Sequence, residues 1–256
     1  MANVLCVTGM HRSGTSLTAS WLAHCGLIVH DGVMVGAAAG NPHGHFEDKE
    51  FVDLHQQQLL RWDPRSRGWI VRGRSLPGTD DDFARRAQRL IDQRNAKYEL
   101  WGWKDPRTVL FLEAWKQLLP ELKVLLLWRA CRDVVGSLLA RKAASTAAVM
   151  RITTLEAVRT WASYNRRVLE YRRAHPDDSL LVPISRVIAG DRELLPLIND
   201  RFGLRLSHHP VSTLRDDTLL KPRRRSWLAR GAESWFDTAA LERELAGASE
   251  TMDGGG

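Results

Sequence analysis

A short stretch near the start of the chain carries residue types that bind phosphate. Gly9 and Gly14 bracket four residues, and Thr15 and Ser16 follow directly. One apolar run precedes this stretch and another follows it, which predicts a strand, a tight loop and a helix in that order. The backbone N–H groups of such a loop and the positive end of the helix dipole both favour an anion. We therefore predict a phosphate-binding loop here.

The residues of this loop differ from those of a nucleoside-triphosphate site. The spacing from Gly9 to Gly14 is that of a P-loop, but in a P-loop a lysine follows the second glycine. Here Thr15 stands at that position, and the cation of the loop is Arg12. The loop is therefore expected to hold phosphate without the lysine that contacts ATP.

Two further cations follow predicted strands. Lys104 ends the apolar segment 100–103 and precedes an Asp-Pro pair, which is a favoured start of a helix. Arg129 follows the run 123–128, which is apolar after its first residue, as in a central parallel strand. Ligands of open parallel sheets bind at the carboxyl ends of the strands. The loop, Lys104 and Arg129 are therefore expected to surround one polyanion.

The residue at the end of the strand 123–128 also bears on the kind of enzyme. P-loop NTPases usually have an aspartate there that helps to hold Mg²⁺, whereas this chain has Arg129. Because both that acid and the loop lysine are missing, the site is expected to bind anionic oxygens without a metal.

The elements that position these residues alternate between strand and helix. Apolar patterns and capping signals predict strands near 4–8, 27–29, 100–104, 123–128 and 180–184, and helices near 17–27, 45–60, 80–98, 106–119, 132–141, 153–169, 192–202 and 233–245. This order predicts an α/β fold, with three layers (α/β/α) and a central parallel sheet. We expect one domain over residues 1–256, with a frayed tail from about residue 246.

Some local features of these elements are predicted as well. Thr153 and Glu156 resemble a capping box at the start of the helix 153–169, and Leu155 is expected on its core face. Acids are expected in the first turn of the helix 45–60. Four tryptophans are candidates for the wall of an acceptor site: Trp62, Trp69, Trp101 and Trp103.

Composition and charge limit the partners. The apolar fraction is 44% and the charged fraction 26%, as in an ordinary soluble protein. The formal net charge is +7, but no nucleic-acid motif accompanies it, so we expect a solvated basic surface and no nucleic-acid partner. The arginines expected on this surface are Arg61, Arg65, Arg67, Arg72, Arg74, Arg85, Arg86, Arg89 and Arg94.

The remaining sequence features concern location. No apolar run reaches the roughly 20 residues of a transmembrane helix, and the N-terminus lacks the pattern of a signal peptide. The three cysteines lie far apart and are expected to be reduced, which favours a cytoplasmic protein. The sequence does not determine the oligomeric state.

Four segments together resemble the P-loop sulfotransferases that use 3′-phosphoadenosine 5′-phosphosulfate (PAPS). Residues 9–16, GMHRSGTS, resemble the loop that binds the 5′-phosphosulfate, and residues 129–137, RACRDVVGS, resemble the 3′-phosphate motif of an arginine and a serine eight positions later. Residues 103–107, WKDPR, resemble a Lys-Asp-Pro element of tyrosylprotein sulfotransferases and many bacterial homologues. Residues 41–48, NPHGHFED, resemble a segment of the bacterial members. The resemblance covers residues 3–141.

The resemblance implies an enzyme that transfers a sulfuryl group from PAPS to a hydroxyl acceptor, with no metal. It implies that Glu47 is the catalytic base, with His45 and Asp48 as alternatives, and that Lys104 and Arg12 stabilise charge on the leaving phosphate. The residues that it implies for binding PAPS are His11, Arg12, Ser13, Gly14, Thr15, Ser16, Arg129 and Ser137.

Two departures from the family pattern and two alternative functions stay open. Cys131 stands where many members have a proline, and the C-terminal arginine motif of cytosolic members is not recognisable, although Arg223–Arg225 could replace it. The role of the basic segment from Lys221 to Arg230 is open.

The acceptor could be a small molecule, a carbohydrate, a lipid or a peptide. The alternatives are a P-loop kinase or NTPase, and a non-catalytic module that binds a nucleotide or a sulfated glycan.

Overall fold

A four-stranded, all-parallel sheet lies at the centre of the computed structural model, which describes residues 2–35, 46–63, 68–71, 78–144, 152–214 and 227–250. The strands are β1 (Asn3–Gly9), β2 (Leu100–Lys104), β3 (Lys123–Trp128) and β4 (Ser179–Pro183). Their order across the sheet is β2-β1-β3-β4. The strand that leads into the predicted phosphate loop is therefore flanked by β2, which ends in Lys104, and by β3, which Arg129 follows directly.

Both faces of the sheet are buried, which explains why the strands are so apolar. Val4 and Cys6 of β1 point into one core, and Leu5 and Val7 point into the other, because successive side chains of a strand lie on opposite faces. β3 alternates in the same way. A parallel sheet that is covered on both faces by helices gives the three-layer α/β/α fold that the sequence predicts.

The described helices divide between these two cores. The helices are α1 (Thr15–His24), α2 (Lys49–Trp62), α3 (Asp81–Lys97), α4 (Leu112–Leu118), α5 (Cys131–Ala144), α6 (Thr154–Ala174), α7 (Ile184–Ala189), α8 (Asp191–Phe202), α9 (Trp227–Trp235) and α10 (Thr238–Ala248). Residues of α2, α3, α4, α5, α6, α9 and α10 contribute to the core on the Val4 side, and residues of α1, α7 and α8 contribute to the other. Within the described ranges, none of the helices has the length and apolar character that crossing a membrane requires.

The expected strand at 27–29 is wrong. This segment forms a single bridge between Ile28 and Trp101 at the outer side of β2. The chain then leaves the sheet, and Lys97 and Tyr98 hold the side chain of Asp31 at 2.7 and 3.0 Å. The pairing therefore ends after one residue.

The C-terminal part of the chain also differs from the prediction. The single helix expected at 233–245 is two helices, α9 and α10, separated at Asp237, which adopts a left-handed φ of 47° and caps α10. α10 continues to Ala248, and the carboxylate of Glu250 lies 2.6 Å from Arg172. Residues 251–256 lie outside the described ranges.

The start of α6 confirms one prediction and corrects another. Thr153 and Glu156 form a reciprocal capping box. Leu155 is 53% exposed, so its expected place on the core face is wrong. The buried face of the helix begins two residues later, at Ala157.

Candidate active site

The predicted phosphate loop is a sharp turn between β1 and α1. Arg12 and Gly14 adopt left-handed φ values of 70° and 88°, and the Ser13 N–H donates to the Met10 carbonyl at 3.1 Å. A β-carbon on Gly14 would lie 2.2 Å from Cδ1 of Ile184, so any other residue would require the Ile184 side chain to shift. α1 begins at the next residue, and the N–H groups of a helix's first turn lie outside its hydrogen-bond ladder. The geometry is that of an anion cradle.

Ser13 supplies an independent indication that this loop binds a polar ligand. Its side chain is fully buried, and its hydroxyl makes no hydrogen bond to the residues that the structure describes. Leaving a buried hydroxyl unpaired costs about 1–3 kcal/mol. An anionic oxygen bound in the loop would accept this hydrogen bond, so the residues present fit a phosphate group.

Lys104, at the end of β2, meets the loop and Glu47. Its side chain is buried, and Nζ donates to Ser16 Oγ at 3.1 Å and to Glu47 Oε1 at 2.6 Å. The register of the sheet places Lys104 beside Val7 of β1, which brings it to the same edge as the loop. A cation and a carboxylate therefore lie together where the phosphate loop ends.

The two described candidates for the base occupy different environments. Glu47 precedes α2 and faces Lys104, whereas Asp48 is the N-cap of α2 and accepts the Glu50 N–H at 3.0 Å. Arg94 also donates to Asp48, at 2.9 Å. Of the acids expected in the first turn of this helix, Glu47 lies before the helix and Asp48 is its N-cap. Glu50 lies within the first turn. His45, the third candidate, lies outside the described residues.

Arg94 corrects the expectation of a solvated arginine. It is 4% exposed and lies between three carboxylates, those of Asp31, Asp48 and Glu50. Its burial lowers its pKa, but the hydrogen bonds and charges of the carboxylates outweigh this and leave the pKa raised. Arg94 therefore fixes the segment that carries Glu47 and begins α2.

The segment that resembles a 3′-phosphate motif, residues 129–137, follows β3 and includes the first turns of α5. Arg129 is 9% exposed, and its carbonyl accepts the indole N–H of Trp161 at 2.9 Å. Ser137 lies two turns into α5, and its hydroxyl accepts a hydrogen bond from Arg12 Nε at 2.8 Å. The structure thus joins the arginine of the phosphate loop to the serine of the second motif.

Cys131 stands where many family members have proline, and its backbone contacts a residue of the C-terminal helix α10. Cys131 is the first residue of α5, and its N–H donates to Glu242 Oε1 of α10 at 2.7 Å. A proline would have no N–H at this position, and proline is favoured there because the group has no partner within the helix. In this chain, the carboxylate of Glu242 accepts the hydrogen bond of the Cys131 N–H, which a proline would lack.

A cavity of about 200 Å³ opens between the loop and Glu47. One wall is aromatic, because His11 stacks on Trp69 with ring centroids 3.8 Å apart. Of the four tryptophans considered from the sequence, Trp101 and Trp103 are buried in the core, and Trp62 packs against it from a half-buried position. The cavity is lined by His11, Arg12, Thr15, Ser16, Val35, Glu47, Trp69, Lys104, Pro106 and Arg107.

Val35, Pro106 and Arg107 line this cavity without having been assigned as site residues from the sequence. Arg107 belongs to the WKDPR segment, so its position next to Lys104 was a usable signal. Val35 carried no such signal. It reaches the site because its N–H donates to the Glu47 carbonyl at 2.9 Å, a pairing of two loops that no periodicity predicts.

A buried carboxylate lies behind the site. Burial raises the pKa of Asp105, but the charge of Arg107 and the hydrogen bond from His55 outweigh it and hold the pKa well below its usual range. The Arg107 side chain is buried too. Its burial lowers its pKa, but the carboxylates of Asp105 and Glu47 outweigh this and leave the pKa raised. Both groups are therefore charged at neutral pH, and Arg107 Nη1 lies 2.8 Å from Asp105 Oδ1 and 3.7 Å from Glu47 Oε2.

The fold and the site define a class of protein. A loop that cradles an anion, cations that converge on it and a carboxylate within hydrogen-bond reach are the parts of a P-loop group transferase. A family model described as the sulfotransferase family matches residues 5–208. The chain belongs to the sulfotransferase family, and it is an enzyme of that kind.

Solved structures agree with this fold. The chain is 17% identical to the sulfotransferase domain from the olefin synthase of Synechococcus PCC 7002, with a TM-score of 0.53, and the match covers 96% of this chain and 94% of that one. It is 15% identical to the sulfotransferase domain from the curacin biosynthetic pathway, with a TM-score of 0.50 and coverage of 92% and 97%. A comparison with curated protein sequences found no match.

Proposed function

We propose that the protein transfers a sulfuryl group from PAPS to a hydroxyl group of an acceptor. The observation that carries this proposal is the 2.6 Å contact between the Glu47 carboxylate and the Lys104 ammonium group, beside Ser16 of the phosphate loop. Sulfuryl transfer to a hydroxyl group needs a base for the hydroxyl proton and a positive charge near the leaving phosphate. Glu47 and Lys104 both line the cavity and would supply them.

The residues of two motifs would hold the donor. The N–H groups of the loop and the Ser13 hydroxyl would bind the 5′-phosphosulfate, and Arg129 and Ser137 would bind the 3′-phosphate. The buried Ser13 hydroxyl and the left-handed backbone of the loop at Arg12 and Gly14 support the first assignment. The hydrogen bond from Arg12 to Ser137 supports the assignment of the 3′-phosphate, because it connects the phosphate loop directly to the second motif. PAPS would supply the sulfuryl group.

Residues of the chain itself would stabilise the charge on the leaving phosphate and accept the proton of the hydroxyl group. Lys104 and Arg12 would counter the negative charge that develops on the leaving phosphate, and fixed cations stabilise such a transition state more than the ground state. Glu47 would take the proton of the attacking hydroxyl group. Asp48 does not serve this role in the proposal, because Arg94 and the N-terminus of α2 already engage both of its oxygens.

A transfer assay with two nucleotides tests the proposal. Labelled PAPS is offered with small-molecule, carbohydrate, lipid and peptide hydroxyl acceptors, and ATP with Mg²⁺ is offered to the same panel. We expect sulfuryl transfer to at least one acceptor class. Phosphoryl transfer from ATP without any sulfuryl transfer would show a kinase instead.

The role of the second motif is tested by binding. Adenosine 3′,5′-bisphosphate should bind more tightly than adenosine 5′-phosphate, and Arg129→Ala should remove most of that difference. Arg85→Ala is the matched control, since Arg85 is exposed on α3 and its described ion pair is with Asp82 of the same helix. An unchanged preference for the bisphosphate in Arg129→Ala would contradict the assignment.

A further inference from the structure

A buried histidine stands behind the candidate site, in a position that no sequence motif marks. His55 of α2 is fully buried. Its Nδ1 lies 2.8 Å from Asp105 Oδ2, and its Nε2 lies 2.8 Å from the indole Nε1 of Trp115. The ring packs against Phe111 and Phe83, with centroids at 5.1 and 6.2 Å, and these two rings also stack on each other. Each nitrogen of the ring therefore has one defined partner.

These two partners determine the protonation of the ring. An indole N–H can only donate a hydrogen bond, so Nε2 of His55 must accept and carries no proton. The proton of the neutral ring is then on Nδ1, which donates to Asp105. Trp115 thus fixes the tautomer, and the tautomer directs a donor at the carboxylate.

Asp105 passes this constraint to Arg107. Its other oxygen, Oδ1, accepts both the backbone N–H of Arg107 at 2.9 Å and the guanidinium Nη1 at 2.8 Å. The same Nη1 lies 3.7 Å from Glu47 Oε2, which is beyond hydrogen-bond distance. Arg107 is therefore held by Asp105 and faces Glu47 without a direct bond from this nitrogen to Oε2.

We propose that His55 is a positioning residue for sulfuryl transfer: in its Nδ1–H form it holds Asp105, and through Asp105 it keeps Arg107 at its distance from Glu47. The inference rests on the proposed function, in which Glu47 takes the hydroxyl proton. Without His55, the Asp105 carboxylate loses the hydrogen bond on Oδ2 and keeps the two from Arg107 on Oδ1, and Arg107 can move to bond directly to Glu47 Oε2. That bond would compete with the proton that Glu47 must accept.

The test compares three variants at equal saturation with PAPS and acceptor. His55→Leu removes both ring hydrogen bonds, and we expect kcat to fall about 10- to 100-fold while the KM for PAPS changes little. His55→Asn retains an N–H close to the place of Nδ1 and should recover much of the lost kcat. Phe83→Leu disturbs the same packing without touching Asp105, so it should lower the melting temperature and leave kcat close to that of the wild type.

Nitrogen NMR gives a readout that does not depend on turnover. The wild-type ring should show Nε2 as its unprotonated nitrogen, and the Arg107 Nε resonance should move in His55→Leu but stay in place in Phe83→Leu. A protonated Nε2 in the wild type would overturn the inference. So would a kcat that is unchanged in His55→Leu, or one that falls equally in Phe83→Leu.

The two proposals can fail separately. If the wild type transfers no sulfuryl group to any acceptor, the proposed function is wrong. The Arg107 resonance then decides whether His55 positions that side chain, and an unchanged resonance in His55→Leu would overturn the inference. If the wild type is active and His55→Leu is equally active, only the positioning role is wrong.

Discussion

Arg12 Nε donates a hydrogen bond to Ser137 Oγ at 2.8 Å, joining two residues that lie 125 positions apart. Arg12 belongs to the loop between β1 and α1, and Ser137 belongs to α5. The two residues thus connect the segment that resembles a 5′-phosphosulfate loop with the segment that resembles a 3′-phosphate motif. An anion bound at either segment would lie near a side chain that also contacts the other.

Ser137→Ala should weaken nucleotide binding selectively. A hydrogen bond to a charged group contributes about 1.5–3 kcal/mol, so the loss for adenosine 3′,5′-bisphosphate should be about 10-fold or more. The loss for adenosine 5′-phosphate should be smaller, because that ligand has no 3′-phosphate. Titration calorimetry with both nucleotides measures the difference. Ser234→Ala, which removes an exposed hydroxyl on α9, is the control, and equal losses for both ligands in Ser137→Ala would contradict the assignment.

Glu47→Gln should separate catalysis from binding. Removing the proposed base should lower kcat about 10²- to 10⁴-fold and leave bisphosphate affinity largely intact. Asp48→Asn should act on stability instead, because Asp48 caps α2 and pairs with the buried Arg94. We expect it to lower the free energy of unfolding by about 1–3 kcal/mol. Steady-state kinetics and denaturant unfolding measure the two effects. A larger kcat loss in Asp48→Asn than in Glu47→Gln would indicate that Asp48 is the base.

The contact between Glu242 and Cys131 can be tested with a double-mutant cycle. Glu242→Ala should leave the Cys131 N–H without its carboxylate and reduce stability by about 0.5–2 kcal/mol, together with bisphosphate affinity. Cys131→Pro removes the N–H, so Glu242→Ala should add little in that background. Glu244→Ala, whose partner Arg173 is exposed, is the control. Additive losses in the double variant would show that the two residues act independently.

Gly14→Ala tests whether the loop needs both a left-handed backbone and free space. At Gly203, which is also left-handed at φ 64°, an added β-carbon would meet nothing within 4 Å. Gly203→Ala should therefore cost only the backbone strain, about 1–2 kcal/mol. Gly14→Ala should cost more, because of the contact with Ile184. Adding Ile184→Ala to Gly14→Ala should remove that extra loss but not the strain. Thermal unfolding of the three single variants and of this double variant measures both parts.

Asp178 should contribute to the acid stability of the fold. Burial raises its pKa, but the hydrogen bonds and charges of Lys116 and Lys123 outweigh this and leave the pKa lowered. A group with a lowered folded-state pKa stabilises the protein above its unfolded pKa of about 3.9, and this contribution is lost as pH falls through the folded-state value. Asp178→Asn should cost about 1 kcal/mol or less at neutral pH and flatten the stability curve below about pH 4. The control is Asp177→Asn, which removes a carboxylate at the exposed neighbouring residue.

The strands of the sheet and the phosphate loop can be predicted from local patterns in the sequence. A strand that is buried on both faces must be apolar throughout, so β1 and β3 are visible without any tertiary information. Lys104 and Arg129 were placed at one edge by a general rule, since parallel strands present their carboxyl ends together, and the register of Val7 with Lys104 and Gly9 with Leu127 agrees with it. The segment at 27–29 had the same local signal as a strand and failed, because the direction that the chain takes after Val29 is not a local property.

What the sequence by itself determined was the class of chemistry and the edge of the sheet where it lies. Only the tertiary structure decided which of two adjacent acids faces Lys104, that Arg12 reaches Ser137, and that His55 stands behind Asp105. The reason is physical. Periodicity reports the face of a helix or strand on which a side chain lies, whereas the hydrogen-bond partner of a buried polar group depends on which distant elements pack against it. Glu47 and Asp48 are identical in kind and adjacent in sequence, and their difference arises from β2 on one side and α3 on the other.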